Sequence, residues 1–271
     1  MSAMLTVLAM LTKLAKLIHR RAVGAVIVTG CLVAAWFATA PIATAVPDDP
    51  LAGAVIMLDP GHQLGNGNPE FADQMAQQKF NGFIWKSCNT TGAATNAGLP
   101  EATFTWEVAT RLKRLLEKRG ARVLMTRSEN SRDAWGPCVW DRAGAANKAK
   151  ADVLLSIHAD GAKATDRGFF AIAPARLPGW TDDIVKPSRR LANAMITGMA
   201  DAGAKRSTYV KDQLFVWKNQ STLNFSDVPA VIMEVGNMRN RKDARLMSTP
   251  NGQDAYARWL LAGLERYFAQ G

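Results

Sequence analysis

The sequence predicts one α/β domain built on a twisted, mostly parallel six-stranded sheet flanked by helices. Three observations carry that prediction. Several short runs of Val, Leu and Ile lack a polar alternation, the mark of strands buried on both faces. These runs alternate with longer stretches of helical periodicity, which implies strand–helix–strand units and a sheet covered on both sides. At 271 residues and 48% hydrophobic content, the chain has apolar material for one large core. No internal repeat and no second domain is read.

Residues 1–45 do not read as folded domain. Basic residues from Lys13 to Arg21 precede an apolar stretch, Ala22 to Ala40, and Ala43-Thr44-Ala45 supplies an A-x-A cleavage site. The stretch exceeds the ~7–15 residues of a usual signal core and reaches the ~18 that can span a bilayer. A cleaved signal peptide is expected, with an uncleaved anchor as the alternative. Residues 46–53 lead into a single domain at 54–271.

The first strand is Ala54 to Leu58, closed by the turn Asp59-Pro60-Gly61-His62. Gln63 to Pro100 is Gly-, Asn-, Gln- and Thr-rich and weakly periodic; a loop of that length is usually a wall or lid of a binding site, or else mobile. From Glu101 the pattern is helical, with Phe104, Val108, Leu112, Leu115 and Leu116 on one face and Gly120 as the stop. A strand follows at Arg122 to Thr126 and a helix at Val139 to Lys150. Ala151 to Gly161, ADVLLSIHADG, is the most apolar strand, and His158 falls where its apolar run ends. Further strands are expected at Gly168 to Ala173, Gln213 to Trp217 and Val228 to Glu234, with Pro229 at the entrance, where a missing ladder donor costs least. Helices are expected at Ser188 to Ala202 and Asp254 to Phe268.

Charge and cysteines narrow the setting. Of the formal +10, four basic residues belong to the leader, leaving 29 basic against 23 acidic. Such an excess suits wall polymers, nucleic acid or anionic lipid, or is a solvated surface without a partner. Arg111, Lys113, Arg114, Lys118 and Arg119 read as a solvated helix face. With Cys31 in the leader, Cys88 and Cys138 remain as a pair in an exported chain, so a Cys88–Cys138 disulfide is predicted, two free thiols being the alternative.

The candidate chemistry gathers at strand ends. Two of the three histidines, His62 and His158, both follow buried-strand runs, at the edge where ligands bind in open α/β sheets; His19 lies in the leader. Zinc typically takes three His or carboxylate ligands and keeps a fourth position for water, so a carboxylate is wanted. Glu101, opening the helix after the long loop, is the first candidate; Glu70 and Glu107 are rivals. Asp59 and Asp160 are candidates to orient the imidazoles as hydrogen-bond acceptors, or are turn residues. Glu234 closes an apolar strand and can serve as general base and general acid. No G-x-S-x-G elbow, phosphate-binding Gly-Lys-Ser/Thr loop or catalytic cysteine signature is present.

Leu58-Asp59-Pro60-Gly61-His62, Glu101, Val123 to Arg127, Asp141-Arg142 with Asn147, Ala151 to Ala159, and Pro229 to Gly236 occur in an order that resembles the zinc-dependent N-acetylmuramoyl-L-alanine amidases of the amidase-3 type, over roughly Ala54 to Phe268. The resemblance implies one zinc held by His62, Glu101 and His158, and Glu234 as catalyst. It implies cleavage of the amide between the lactyl group of N-acetylmuramic acid and L-alanine. A zinc carboxypeptidase or endopeptidase, or a wall-binding protein without turnover, are the alternatives. The expected partners are peptidoglycan fragments and muropeptides, not nucleic acid, with membrane contact only through the N-terminal segment, a monomeric state, and export to the periplasm, cell wall or medium. The chain departs from the family pattern at Asp160, at Val235 to Met238 and in the 63–100 segment. No wall-binding repeat is read, so targeting is expected to rest on the domain itself.

Overall fold

The structure is a computed structural model that describes residues 49–271; the leader predicted at 1–45, with His19 and Cys31, lies outside the described residues. Strand β1 is Val55–Pro60 and is followed by a short helix α1, Ala72–Ala76, and a hairpin of β2, Gln78–Phe80, and β3, Trp85–Ser87. Then come α2, Glu101–Glu117; β4, Arg122–Met125; α3, Val139–Ala149; β5, Val153–Asp160; and β6, Phe170–Pro174. The chain closes with α4, Val185–Asp201; β7, Leu214–Trp217; α5, Ser221–Asn224; β8, Ala230–Asn237; α6, Arg241–Met247; and α7, Pro250–Phe268.

Six strands form the main sheet in the order β4-β1-β5-β8-β6-β7. All neighbours are parallel except β6 and β8, which are antiparallel. Alternation along each central strand sorts side chains to two cores. Ile56, Leu58, Leu155, Ile157, Val231 and Met233 pack with apolar residues of α2, α4 and α7 on one face. Met57, Leu154, Ile232 and Ala230 face α3 and α5 on the other. No described helix is long and apolar enough to cross a membrane.

Helix α2 shows how local sequence sets these limits. Phe104, Val108, Leu112 and Leu116 recur at helical spacing and are wholly buried, so the helix forms because that stripe has the sheet to cover it. It stops in a Schellman arrangement: the Gly120 amide donates to Glu117 O at 3.1 Å and the Ala121 amide to Leu116 O at 3.2 Å. Gly120 takes φ +82°, which residues bearing a Cβ rarely adopt.

Two expectations are corrected, and one helix was missed. His158 and Glu234 do not end their strands: β5 runs on to Asp160 and β8 to Asn237, because the backbone still finds ladder partners beyond the apolar run, with His158 opposite Glu234 and Asp160 opposite Asn237. The 63–100 segment is not featureless, since it carries α1 and the β2–β3 hairpin. Helix α6, too short to show a period, was not anticipated; Asn240 caps it by accepting from the amides of Lys242 and Asp243.

The predicted disulfide is present, joining Cys88 to Cys138 across 50 residues of sequence. It ties the long segment to the start of α3, where the Val139 amide also donates to Cys88 O at 2.8 Å. By chain entropy, closing a loop of that length contributes about 4 kcal/mol. The double substitution Cys88→Ser and Cys138→Ser is therefore expected to lower unfolding free energy by about 2–5 kcal/mol, read as a shift in the urea midpoint.

Candidate active site

The parallel strands β1, β5 and β8 run to a common edge, and a cleft of about 380 Å³ opens there. His62, Glu101, His158 and Glu234 all line it. His62 comes from the turn after β1. His158 and Glu234 are register neighbours on β5 and β8, so their side chains leave the sheet on the same face. Glu101, first residue of α2, reaches the edge from the opposite layer. Of the rival carboxylates, Glu70 sits on an exposed 3₁₀ turn and Glu107 pairs with Arg111 along the helix.

Glu101 lies between the two imidazoles. Its Oε1 is 2.9 Å from His158 Nδ1 and 3.3 Å from His62 Nε2. Oε1 also accepts from the Ala159 amide at 3.1 Å, and Oε2 from the Ala93 amide at 2.7 Å. The imidazole rings stand edge to face with centroids 4.8 Å apart. One ligating atom from each of the three residues lies within 4.8 Å of the others. Two imidazoles and a carboxylate, with a cleft on the remaining side, form the donor set of an open divalent-metal site, and the residues fit such an ion.

The electrostatics agree with that fit. Burial alone would raise the Glu101 carboxyl, but the facing charge of His62 and the hydrogen bonds to both imidazoles hold it well below the usual carboxylate range. Burial disfavours the His62 imidazolium, yet Glu101 outweighs it and the imidazole is raised. Positive charge is therefore favoured at this point. Glu234 moves the other way: burial, reinforced by Glu101 and Asp160, pushes its carboxyl well above the usual range. Its Oε2 is buried without a hydrogen-bond partner, a costly condition unless something in the cleft uses it.

His62 is oriented by a residue the sequence reading did not single out. The carbonyl of Thr90 lies 2.9 Å from His62 Nδ1. A carbonyl can only accept, so Nδ1 carries the proton and Nε2 is left to face Glu101. Asp59 and Asp160 do not orient the imidazoles. Asp59 is turned away by the buried Arg142, whose Nη1 donates to Asp59 Oδ1 at 2.6 Å, and by Ser156 and Thr126. Asp160 accepts from the Tyr209 hydroxyl at 2.7 Å. A carbonyl acceptor drawn from a loop with no local signature was invisible in the sequence.

Arg142, which the sequence offered only as part of a motif, supplies a second support. Nε donates to Pro137 O, Nη1 also to Pro60 O, and Nη2 to His62 O and Gly136 O. All five N–H groups are used, and the guanidinium clamps the turn that presents His62. The turn itself is tight: His62 has φ +60°, in the left-handed region.

Gly92 is required by close approach. A Cβ there would fall 2.6 Å from His62 Cδ2 and 2.8 Å from Glu101 Oε2, and its φ is +78°. Gly92→Ala is expected to weaken divalent-metal affinity by about 10–100-fold, measured by competition with a chromogenic chelator.

The chain has clear relatives. The family model described as N-acetylmuramoyl-L-alanine amidase matches residues 56–266. An N-acetylmuramoyl-L-alanine amidase of Mycobacterium tuberculosis is 33% identical over 243 residues, covering 89% of this chain and 97% of that protein. Among solved structures, the amidase Ami1 of Mycobacterium smegmatis superposes with TM-score 0.75 at 33% identity, covering 82% of this chain and 99% of that one. The apo form of Ami1 from Mycobacterium abscessus superposes with TM-score 0.73, also at 33% identity, over 80% and 99%.

Proposed function

The chain belongs to the N-acetylmuramoyl-L-alanine amidase family and is a peptidoglycan hydrolase, and we propose that it works with one Zn²⁺ held by His62, Glu101 and His158 and with Glu234 as proton carrier. The bond cleaved is the amide between the lactyl group of N-acetylmuramic acid and the L-alanine of the stem peptide. The observation that carries the metal reading is the placement of Glu101 Oε1 within 3.3 Å of a nitrogen of each imidazole, beside an open cleft.

Bound there, Zn²⁺ would supply Lewis acidity toward the scissile carbonyl and would make water a nucleophile near neutral pH. The chain's own groups do the rest. Thr90 keeps the His62 proton on Nδ1, so that Nε2 stays a donor of electrons rather than of hydrogen. The two amides on Glu101 fix its carboxylate. Glu234 takes the proton of the attacking water and hands it to the nitrogen of the departing L-alanine. A buried carboxyl with a raised pKa holds a proton well once it has accepted one, and the positive charge of an ion held by His62, Glu101 and His158 would favour the ionised form needed at the start.

Residues 1–45 serve in this reading as the export leader, because the substrate lies outside the membrane and the Cys88–Cys138 bond suits an oxidising compartment. The test is mass spectrometry of muropeptide products with and without chelator. The expected product is an intact stem peptide with a free L-alanine amine, lost with chelator and restored by Zn²⁺. Products that keep the lactyl amide and break within the stem would instead make the chain a peptidase.

A further inference from the structure

The surface beside the cleft carries a feature that the hydrolytic chemistry does not use. All of the exposed large apolar side chains among the described residues fall in two segments, 80–85 in the β2–β3 hairpin and 215–217 in β7. Trp85 is 65% exposed, Phe215 44% and Trp217 36%. Large aromatic side chains are costly to leave in water, and their gathering in one place marks a contact surface.

The two segments form one body. The Asn81 amide donates to Asn219 Oδ1 at 3.3 Å and to Ser221 Oγ at 3.0 Å, and the Asn224 amide donates back to Asn81 O at 2.9 Å. Lys218 Nζ stands 4.3 Å from the Phe83 ring centroid. Behind the hairpin, Phe80 packs on Trp180 at 6.0 Å and Trp180 on Phe225 at 5.6 Å, which backs the exposed rings with a rigid aromatic layer. The platform is continuous with the catalytic cleft, because Lys86, next to Trp85, and Trp217 both line it.

We propose that this platform binds the glycan strand of the substrate, with the rings of Trp85 and Phe215 against the C–H faces of its sugars. The proposal rests on the amidase reading given above. The scissile amide is one lactyl group away from a sugar ring, so a strand seated in the cleft must leave across its rim. Aromatic faces carry negative quadrupole potential and favour the C–H faces of pyranoses. Where the platform meets the cleft, Asn219 and Gln220 line it, and their side-chain amides are suited to sugar hydroxyls. A lipid interior would penalise these same groups, which decides against a membrane as occupant.

The test compares full-length wild type with Trp85→Ala, Phe215→Ala and the double variant, on glycan strands of several disaccharide-peptide units and on a single muramoyl peptide. Neither residue lines the cleft. The double variant is expected to raise KM on strands roughly tenfold with kcat unchanged, and to leave kcat/KM on the single unit as in wild type. That unaltered value also shows that the variant folds. Equal losses on both substrates, or none on either, overturn the proposal. So does an unchanged strand KM accompanied by loss of binding to anionic phospholipid vesicles, or by loss of a β7-paired dimer. Calorimetry with strands stripped of stem peptides needs no turnover. A wild type that binds those strands but cleaves nothing would refute the amidase reading while leaving the platform intact.

Discussion

Glu234→Gln is expected to lower kcat by about 10²–10⁴-fold while metal content stays at the wild-type level. The amide keeps the shape of the side chain and the register opposite His158, but it cannot take up a proton. Oε2 of Glu234 has no partner among the protein's own groups, so the substitution leaves no broken hydrogen bond behind. A carboxylate buried beside Glu101 and Asp160 is a strained neighbour, and its removal is expected to leave thermal stability unchanged or raised. Parallel assays of muropeptide turnover, bound metal and thermal midpoint decide the matter. A kcat within tenfold of wild type would remove Glu234 from the proton path.

Arg142→Met is expected to be the most damaging single substitution for the fold, at about 3–5 kcal/mol, because it leaves Asp59 as a buried charge without its partner. Both side chains are almost wholly buried, at 2% and 1% exposure. Native stabilities are commonly about 5–15 kcal/mol, so the loss should be visible as a large fall in the urea midpoint. The same pair gives an acid limb to stability. Burial raises Asp59, but Arg142 and the hydroxyls of Ser156 and Thr126 outweigh it, so the carboxyl sits below the usual carboxylate range. A depressed carboxyl stabilises the fold above the unfolded value and loses that contribution as pH falls through the folded one, here below about 4. An unfolding midpoint for Arg142→Met within about 1 kcal/mol of wild type would show that the turn does not depend on the clamp.

Much of the architecture was legible because burial leaves a plain mark on sequence. Val153, Leu154, Leu155 and Ile157, a short β-branched and leucine-rich run, read as a strand covered on both faces, and the α2 stripe as a helix lying on such a sheet. The ends were less legible. Backbone pairing carries β5 and β8 past their last aliphatic residues, and pairing has no composition of its own. The four proposed site residues stood out because each is a polar group abutting an apolar run or a helix start. Their supports did not. Thr90 acts through its carbonyl, which every residue has; Arg142 stood in a motif that gave its side chain no role; Gly92 is one glycine in a segment full of them.

The left-handed turn at His62 has a consequence for how this enzyme can change. An L-residue at φ +60° gives up about 1 kcal/mol that glycine would not. Glycine at 62 would thus relax the backbone and remove a proposed metal ligand in one stroke, so on that reading the locally most comfortable residue is an inactive one. Selection for robustness and selection for turnover pull in opposite directions at this position, and an ancestor or paralogue freed from catalysis would be expected to drift there first.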